Sequence, residues 1–352
     1  MSKKHGMAAI NLEMTDRVPR VEYSAETHWD LVKAVTGIDV NSQSGIEVQQ
    51  NATAAFKKAW NYDYEWDILT HNYIFNGKYT KMGHASYASD SVDFDNEISC
   101  LFEEPEDVIA FDFWEEFGER DIKQITREFE EKYRSNCEKY SDTVNTTGIY
   151  ISLMSGLIEL LGWDMLLLTA GIYPEEFGDF ANRYAEWIGQ YFKGLSEASF
   201  PVVNIHDDIV WTEGPFLKPE WYRKYIFPNY KKNFAPLLEK DKKIIYTSDG
   251  NYNEFIDDIA ACGVHGFVLE PLTDMQYIAD KYGKTHVFIG NADTNVLLRG
   301  SKDDIYNEVK RCMDIGKKYP GFFMAVGNHI PSNTPVDNAL WYNECYEKLG
   351  KR

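Results

Sequence analysis

Two short runs decide the fold: Lys243-Ile-Ile-Tyr-Thr-Ser-Asp-Gly-Asn251 and, after one helical pattern, Gly266-Phe-Val-Leu-Glu270. Each is an almost continuous string of apolar or β-branched residues that stops at a polar turn. Strands of this kind, buried on both faces and separated by helices, belong to parallel sheets. Working outward, the unit recurs. Apolar runs lie at 146–153, 201–205, 287–289 and 322–326, and helical patterns at 174–198, 219–238, 252–262, 275–282, 302–317 and 335–349. Six such units, plus earlier ones in the first half, predict an α/β fold: a single (β/α)8 TIM barrel with an N-terminal helical extension. No Gly-x-Gly-x-x-Gly follows any strand, which removes the main reason to expect a dinucleotide-binding sheet. No linker, repeat or low-complexity tract interrupts the chain. We expect one barrel over 1–352, with the extension and first strands in 1–145 and the regular units in 146–352.

Within the first half, Ser24 is expected to cap a helix over 24–35. A further helical pattern lies at 56–60. Pro105 opens another helix with acids in its first turn, and a long charged helix runs over 121–140.

The chain has 352 residues, with 36 Lys and Arg against 56 Asp and Glu, a net charge of −20. That excess repels phosphate, so no nucleic-acid partner and no anionic membrane surface is expected. Aromatic residues make up 15%, enough for both a core and an aromatic-lined pocket. No apolar run approaches the roughly 20 residues that cross a bilayer, and the first residues lack a signal-peptide core. A cytoplasmic protein is expected. Five scattered cysteines without a Cys-x-x-Cys pair fit reduced thiols rather than a disulfide framework.

In a barrel of this kind the residues just after each strand face the active-site mouth. Those positions read His206-Asp207-Asp208, Ser248-Asp249-Gly250-Asn251, Glu270-Pro271, Gly290-Asn291-Ala292-Asp293 and Gly327-Asn328-His329. Asp and Asn at such turns also cap helices, and Asp293 and Asn251 fit that role especially well. His206, Asp249, Glu270 and His329 can instead converge on one point. His265 and His286 fall at the opposite end of the barrel, while His5, His28 and His71 read as structural or solvated. Trp211, Tyr246 and Tyr252 flank the turns, either as pocket walls or as packing aromatics.

Together, Asp16-Arg-Val-Pro-Arg20, Asp207-Asp208-Ile209, Glu213-Gly-Pro-Phe-Leu-Lys-Pro-Glu-Trp-Tyr222, Pro228, Ser248-Asp-Gly-Asn251, Gly290-Asn-Ala-Asp293, Leu298-Arg-Gly300, Asn328-His-Ile330 and Thr334-Pro-Val-Asp-Asn338 resemble the uroporphyrinogen decarboxylase superfamily. The resemblance covers nearly the whole chain and implies a (β/α)8 barrel. Decarboxylases of the porphyrin branch carry an Arg-Gln-Ala-Gly-Arg-Tyr stretch whose arginines hold substrate carboxylates. Here the region reads Arg17-Val-Pro-Arg-Val-Glu-Tyr-Ser24, and an acidic chain without that cluster is poorly built for an octa-acid.

The other branch is similar to corrinoid-dependent methyltransferases. Its thiol-methylating members bind zinc through a His-x-Cys pair and a later Cys. Those positions are Thr247-Ser-Asp249 and the Asn328-His329 region here. Arg17 to Ser24, His28-Trp29 and Met82-Gly-His84-Ala85 look like the O-demethylase members.

That resemblance implies transfer of a methyl group from a methoxylated, aromatic ether to the Co(I) corrinoid of a partner protein. It implies Zn²⁺ on a set drawn from His206, Asp249, Glu270 and His329, with Asp207 as a ligand or its support. Asp207, Asp249 and Asn291 would act in catalysis, and His84, Trp211, Tyr246 and Tyr252 would contact substrate. An ether oxygen is a poor leaving group unless protonated or held by a Lewis acid, and oxygen and nitrogen ligands leave zinc more positive than thiolates do. The expected partners are a corrinoid-binding protein and a small methoxylated substrate, with a homodimer left open. The alternatives are a methylamine- or thiol-linked corrinoid methyltransferase, a metal-free decarboxylase of a small acid in which Asp207 or Asp249 protonates a carbanion, and a non-catalytic scaffold.

Overall fold

The regular apolar runs become parallel strands in the computed structural model, which describes residues 2–80 and 101–352. Strands β1 (Tyr64–Glu65) and β2 (Val144–Asn145) pair in parallel. Strands β3 (Thr147–Ile149), β4 (Val202–His206), β5 (Lys243–Thr247), β6 (Gly266–Val268), β7 (Val287–Ala292) and β8 (Phe322–Val326) follow one another in a single parallel sheet. Leu69 and Thr70 both donate to the Gly148 carbonyl, joining the chain beyond β1 to β3.

Residues 19–22 close the circle. Arg20 pairs in parallel with Met324 of β8, Met324 N donates to Pro19 O at 2.8 Å, and Val21 N donates to Met324 O at 3.1 Å. On their other side, Asp63 N donates to Arg20 O at 2.8 Å. Eight stave positions thus surround one core.

Alternation along the staves sorts every side chain. Val21, Tyr64, Val144, Val202, Ile245, Val268, Val287, Ile289, Phe323 and Ala325 fill the barrel interior. Val203, Ile205, Ile244, Tyr246, Phe267, Met324 and Val326 point outward into the layer under the helices. The helix Lys3–Ile10 closes one end with Ala9 and Ile10. A Cβ on Gly6 would stand 2.1 Å from the Asp63 carbonyl, so only glycine lets that helix approach so closely.

Closure depends on buried charge. Arg20 and Glu22 pair at 2.8 Å with both side chains fully enclosed. Glu22 also accepts from Val326 N at 2.9 Å and from the Tyr342 hydroxyl at 2.7 Å. The Arg20 guanidinium lies over the rings of Trp60, Tyr342 and Tyr346 at 4.3–5.1 Å. Arg17 makes a two-pronged bond to Asp63 at 2.5 and 2.6 Å.

Several sequence expectations are corrected. The run at 146–153 stops being strand at Ile149, and its tail leads into the helix Met154–Ile172, which the periodicity did not reveal. That helix is apolar nearly all round, so it has no polar stripe to betray it. Among the described residues it is the one helix long and apolar enough to cross a membrane, against the expectation that no run approaches that length. Two thirds of its apolar window, 67%, is buried inside the protein.

Ser24 does not cap a helix. It sits at φ 60° before a short 3₁₀ turn, Ala25–Thr27, and His28 accepts from Leu31 N to start Trp29–Thr36. The pattern at 219–238 splits into Pro219–Tyr225 and Phe227–Glu239, because Pro228 has no N–H to continue the first helix. The pattern at 252–262 is a 3₁₀ turn, Asn253–Phe255, followed by the short helix Ile256–Ala260. The pattern at 56–60 is the end of a longer helix, Ile46–Ala59.

Cys137, Cys262, Cys312 and Cys345 are free thiols, and Cys100 lies outside the described residues.

Removing Glu22 strands the Arg20 cation among aromatic rings and releases β8. Glu22→Ala should lose about 3–5 kcal/mol of stability, the usual result of breaking a buried pair from one side. Urea titration followed by tryptophan fluorescence measures it, and an unchanged midpoint would refute the closure argument.

Candidate metal centre at the barrel mouth

The inward phase of the staves continues past the strand ends and builds the mouth. Val21 is followed in phase by Tyr23, Tyr64 by Trp66, Val202 by Asn204, His206 and Asp208, Ile245 by Thr247 and Asp249, and Val268 by Glu270. His206, Asp208 and Asp249 meet there, each offering one ligand atom within 4.8 Å of the others.

His206 is held from both sides. Its Nδ1 lies 3.2 Å from the Tyr150 carbonyl, an acceptor only, so Nδ1 carries a proton and Nε2 faces the cluster. Nε2 is 3.2 Å from Asp208 Oδ1. The Tyr150 ring stacks on the imidazole at 3.8 Å, and Trp66 meets it edge-on at 6.5 Å. Burial opposes a charge on His206, but Asp208 and Asp249 outweigh it and push the imidazole up to about 9.

The second carboxylate is set by a turn. Asp249 N donates to Asp208 Oδ1 at 3.0 Å, and Gly250 N donates to Glu270 Oε2 at 2.6 Å. Gly250 has φ 83°, and a Cβ there would stand 2.7 Å from the Trp211 carbonyl, so the turn requires glycine. Asn328 donates to Glu270 and also bonds Asp249. Asp249 opens to solvent within the mouth, yet it sits deep in the protein mass. That depth, with the neighbouring charges of Asp208 and Glu270, holds its pKa well above the carboxylate range. Burial also raises Glu270. Two carboxylates crowd one imidazole with Glu270 near Asp249, a concentration of acidic groups that suits a cation.

Other predicted residues do not join this cluster. Asp207 is out of phase by one and turns away. Its Oδ1 accepts from Leu153 N at 3.1 Å and Ser155 N at 2.7 Å, and its Oδ2 from Met154 N at 3.0 Å and from the Tyr230 hydroxyl. It caps the amino end of Met154–Ile172, whose own Leu153 supplies no side-chain cap. Asn291 is also committed: its amide donates to the Glu270 and Thr273 carbonyls at 3.2 Å, and its Oδ1 accepts from Arg311.

Tyr246 and Tyr252 are fully buried outside the barrel, with hydroxyls donating to the Asp207 and Val268 carbonyls. Trp211 is 43% exposed and packs with Trp163 and Phe216. His329 bonds Ser24 through Nδ1 and is not one of the three clustered ligands. His84 lies outside the described residues. Asp293 caps Thr294–Arg299, and Asn251 accepts from Asn253 N, as their turn positions imply.

Residues that the sequence reading did not place at the site are Asp208 as a ligand, Trp66, Tyr150 and Tyr23. The Asp-Asp doublet was visible, and period-two alternation from Val202 selects Asp208. Tyr150 directly follows β3 but was hidden inside an overlong strand. Trp66 follows a two-residue strand that leaves no pattern.

A uroporphyrinogen decarboxylase of Syntrophotalea carbinolica is 26% identical over 176 residues, half of each chain. One from Carboxydothermus hydrogenoformans is 28% identical over 176 residues, covering 50% of this chain and 49% of its own. This chain therefore spans about half the length of these two curated relatives. The methylcobamide:CoM methyltransferase MtbA of Methanosarcina acetivorans is 23% identical over 244 residues, 64% of this chain and 70% of that one. The solved structure of a methyltransferase from Methanosarcina mazei shares the fold over 98% of both chains, with a TM-score of 0.65 at 15% identity. The uroporphyrinogen decarboxylase profile matches residues 137–349, more than half of this sequence, and the chain belongs to that family.

Proposed function

We propose that the protein is a methyltransferase that takes a methyl group from the oxygen of a methoxylated aromatic ether and passes it to the Co(I) corrinoid of a partner protein. The observation that carries the reading is the His206–Asp208–Asp249 cluster, an oxygen and nitrogen donor set at an aromatic-lined barrel mouth. The similarity to a methylcobamide:CoM methyltransferase supports the methyl-transfer class.

The donor set fits Zn²⁺. Three ligands that leave one position open match a catalytic zinc site, and the Tyr150 carbonyl that fixes the His206 tautomer is the usual support for a ligating imidazole. When bound, the ion supplies a Lewis acid for the departing oxygen. His206, Asp208 and Asp249 would hold it. Gly250 N and Asn328 fix Glu270 beside them, and Trp66 supplies an aromatic wall for an aryl ring, while Tyr150 is sandwiched between His206 and His71.

Porphyrin decarboxylation is disfavoured by where the amino-terminal arginines go. Arg17 is spent on Asp63 and Arg20 on Glu22, so neither is offered to substrate carboxylates. Thiol methylation lacks its ligands, because none of the described cysteines belongs to the cluster. A methylamine donor is the second reading: Asp208, Asp249 and Glu270 near the ring of Trp66 would also attract an ammonium by charge and by cation–π contact.

Zinc content measured by plasma mass spectrometry should fall sharply in His206→Ala, Asp208→Ala and Asp249→Ala, while His329→Ala and Asn291→Ala retain most of it. Full occupancy in the first three would sink the ligand assignment, and a wild-type protein without stoichiometric zinc would favour the metal-free decarboxylase.

Mixing the protein with Co(I) corrinoid and a panel of donors should give the methyl-Co(III) spectrum with methoxybenzenes. Electron-poor rings should react faster, because their oxide leaves more readily. A signal from methylamines alone would move the assignment to the second reading.

A further inference from the structure

Tyr23 stands where the inward phase of the closing stave enters the mouth, two residues after Val21. Its carbonyl accepts from Ile330 N at 3.1 Å, which ties it to the loop carrying Asn328 and His329. Its ring meets Trp66 edge-on at 6.0 Å, and Trp66 in turn meets the His206 imidazole at 6.5 Å. Trp66 is locked there by a 3.1 Å bond from its indole N–H to Thr247 Oγ1. Burial first, and then Tyr64, Glu22 and Asp249 in turn, raise the pKa of the phenol well above the usual tyrosine value.

The Tyr23 hydroxyl is shielded from solvent and has no hydrogen-bond partner among the described residues. Its neighbours at this end of the barrel differ. Tyr246, Tyr252 and Tyr184 each donate to a backbone carbonyl, and Tyr64 donates to Asn204. Tyr62 also lacks a partner, but it packs against Phe56 and beside Lys57, not against the cluster. An unmet buried hydroxyl is costly, by about 1–3 kcal/mol, unless something supplies an acceptor.

We propose that the Tyr23 hydroxyl is a substrate-reading donor: it hydrogen-bonds the oxygen that loses the methyl group and so selects oxygen donors over ammonium ones. This rests on the ether reading above. In that reaction the methyl C–O bond breaks with its electron pair left on oxygen. The methyl carbon takes an electron pair from Co(I), which becomes methyl-Co(III). The Tyr23 O–H points at the aryl oxide formed, which takes its proton from solvent. A protonated methylamine has no lone pair to accept from the phenol and could only donate to its oxygen, so the O–H itself would stay unmet with that donor.

The test compares wild type with Tyr23→Phe, which keeps the ring against Trp66 and deletes only the hydroxyl. Zinc content, calorimetric binding of phenol, and methyl transfer from a series of ring-substituted methoxybenzenes to reduced free cobalamin are measured on both. Tyr23→Phe should keep its zinc, bind phenol about tenfold more weakly, as loss of one hydrogen bond of about 1.4 kcal/mol implies, and transfer methyl about 100-fold more slowly. The penalty should grow as the leaving oxide becomes more basic, a trend that mere packing would not produce. Equal binding and equal rates across the series overturn the assignment while leaving the ether reading intact. Loss of zinc in Tyr23→Phe also overturns it, in favour of a metal-holding role. Wild type that transfers no methyl from any methoxybenzene overturns the ether reading and this assignment with it.

Discussion

Arg20 and Glu22 face each other fully enclosed, and the pair braces the seam where the barrel closes. A buried ion pair is expensive to desolvate, and here the expense is offset by what each partner also holds. Glu22 takes the Val326 amide as well as the guanidinium, so one carboxylate welds the closing stave to β8. Arg20 spreads its remaining charge over three aromatic faces contributed by Trp60, Tyr342 and Tyr346. Because Tyr23 and Ser24 come next in the chain, the same weld fixes two residues of the mouth. Both arginines of this stretch, Arg17 and Arg20, are committed within the fold, and the mouth carries carboxylates.

The charge of the mouth follows from that choice. His206, Asp208 and Asp249 offer ligand atoms within 4.8 Å of one another, with Glu270 near Asp249 and with Tyr150 and Trp66 packed on the imidazole. Such a group repels itself until a cation enters, and because Nδ1 of His206 is held by the Tyr150 carbonyl, Nε2 is the nitrogen that would greet it. Rigid backbone donors, Asp249 N and Gly250 N among them, keep the acids apart and oriented.

Much of this was legible in the residues alone. The alternation of apolar runs and helical patterns marks the parallel staves, and the turns after them carry the polar groups of the site. His206, Asp249 and Glu270 are found at the mouth by that rule. The rule says less about which neighbour of a doublet faces inward, and there Asp207 and Asp208 were exchanged, although counting by twos from Val202 separates them. Tyr246 errs by the same single step from Thr247. Asn291 keeps the inward phase, yet Arg311 and two carbonyls claim its amide, a long-range arrangement that no local pattern records. The helix Met154–Ile172 escaped for the opposite reason: a segment apolar on every side has no period to read. Residues 19–22 are too short and too charged to look like strand, although they complete the ring.

The division of labour within His206-Asp207-Asp208 has a consequence for how this scaffold can diversify. The middle residue is mortgaged to the long apolar helix beneath it, through three amides and a tyrosine. Its two neighbours are bound chiefly to each other and to the mouth. A change at position 206 or 208 would therefore exchange one ligand chemistry for another, while the anchor between them stays put.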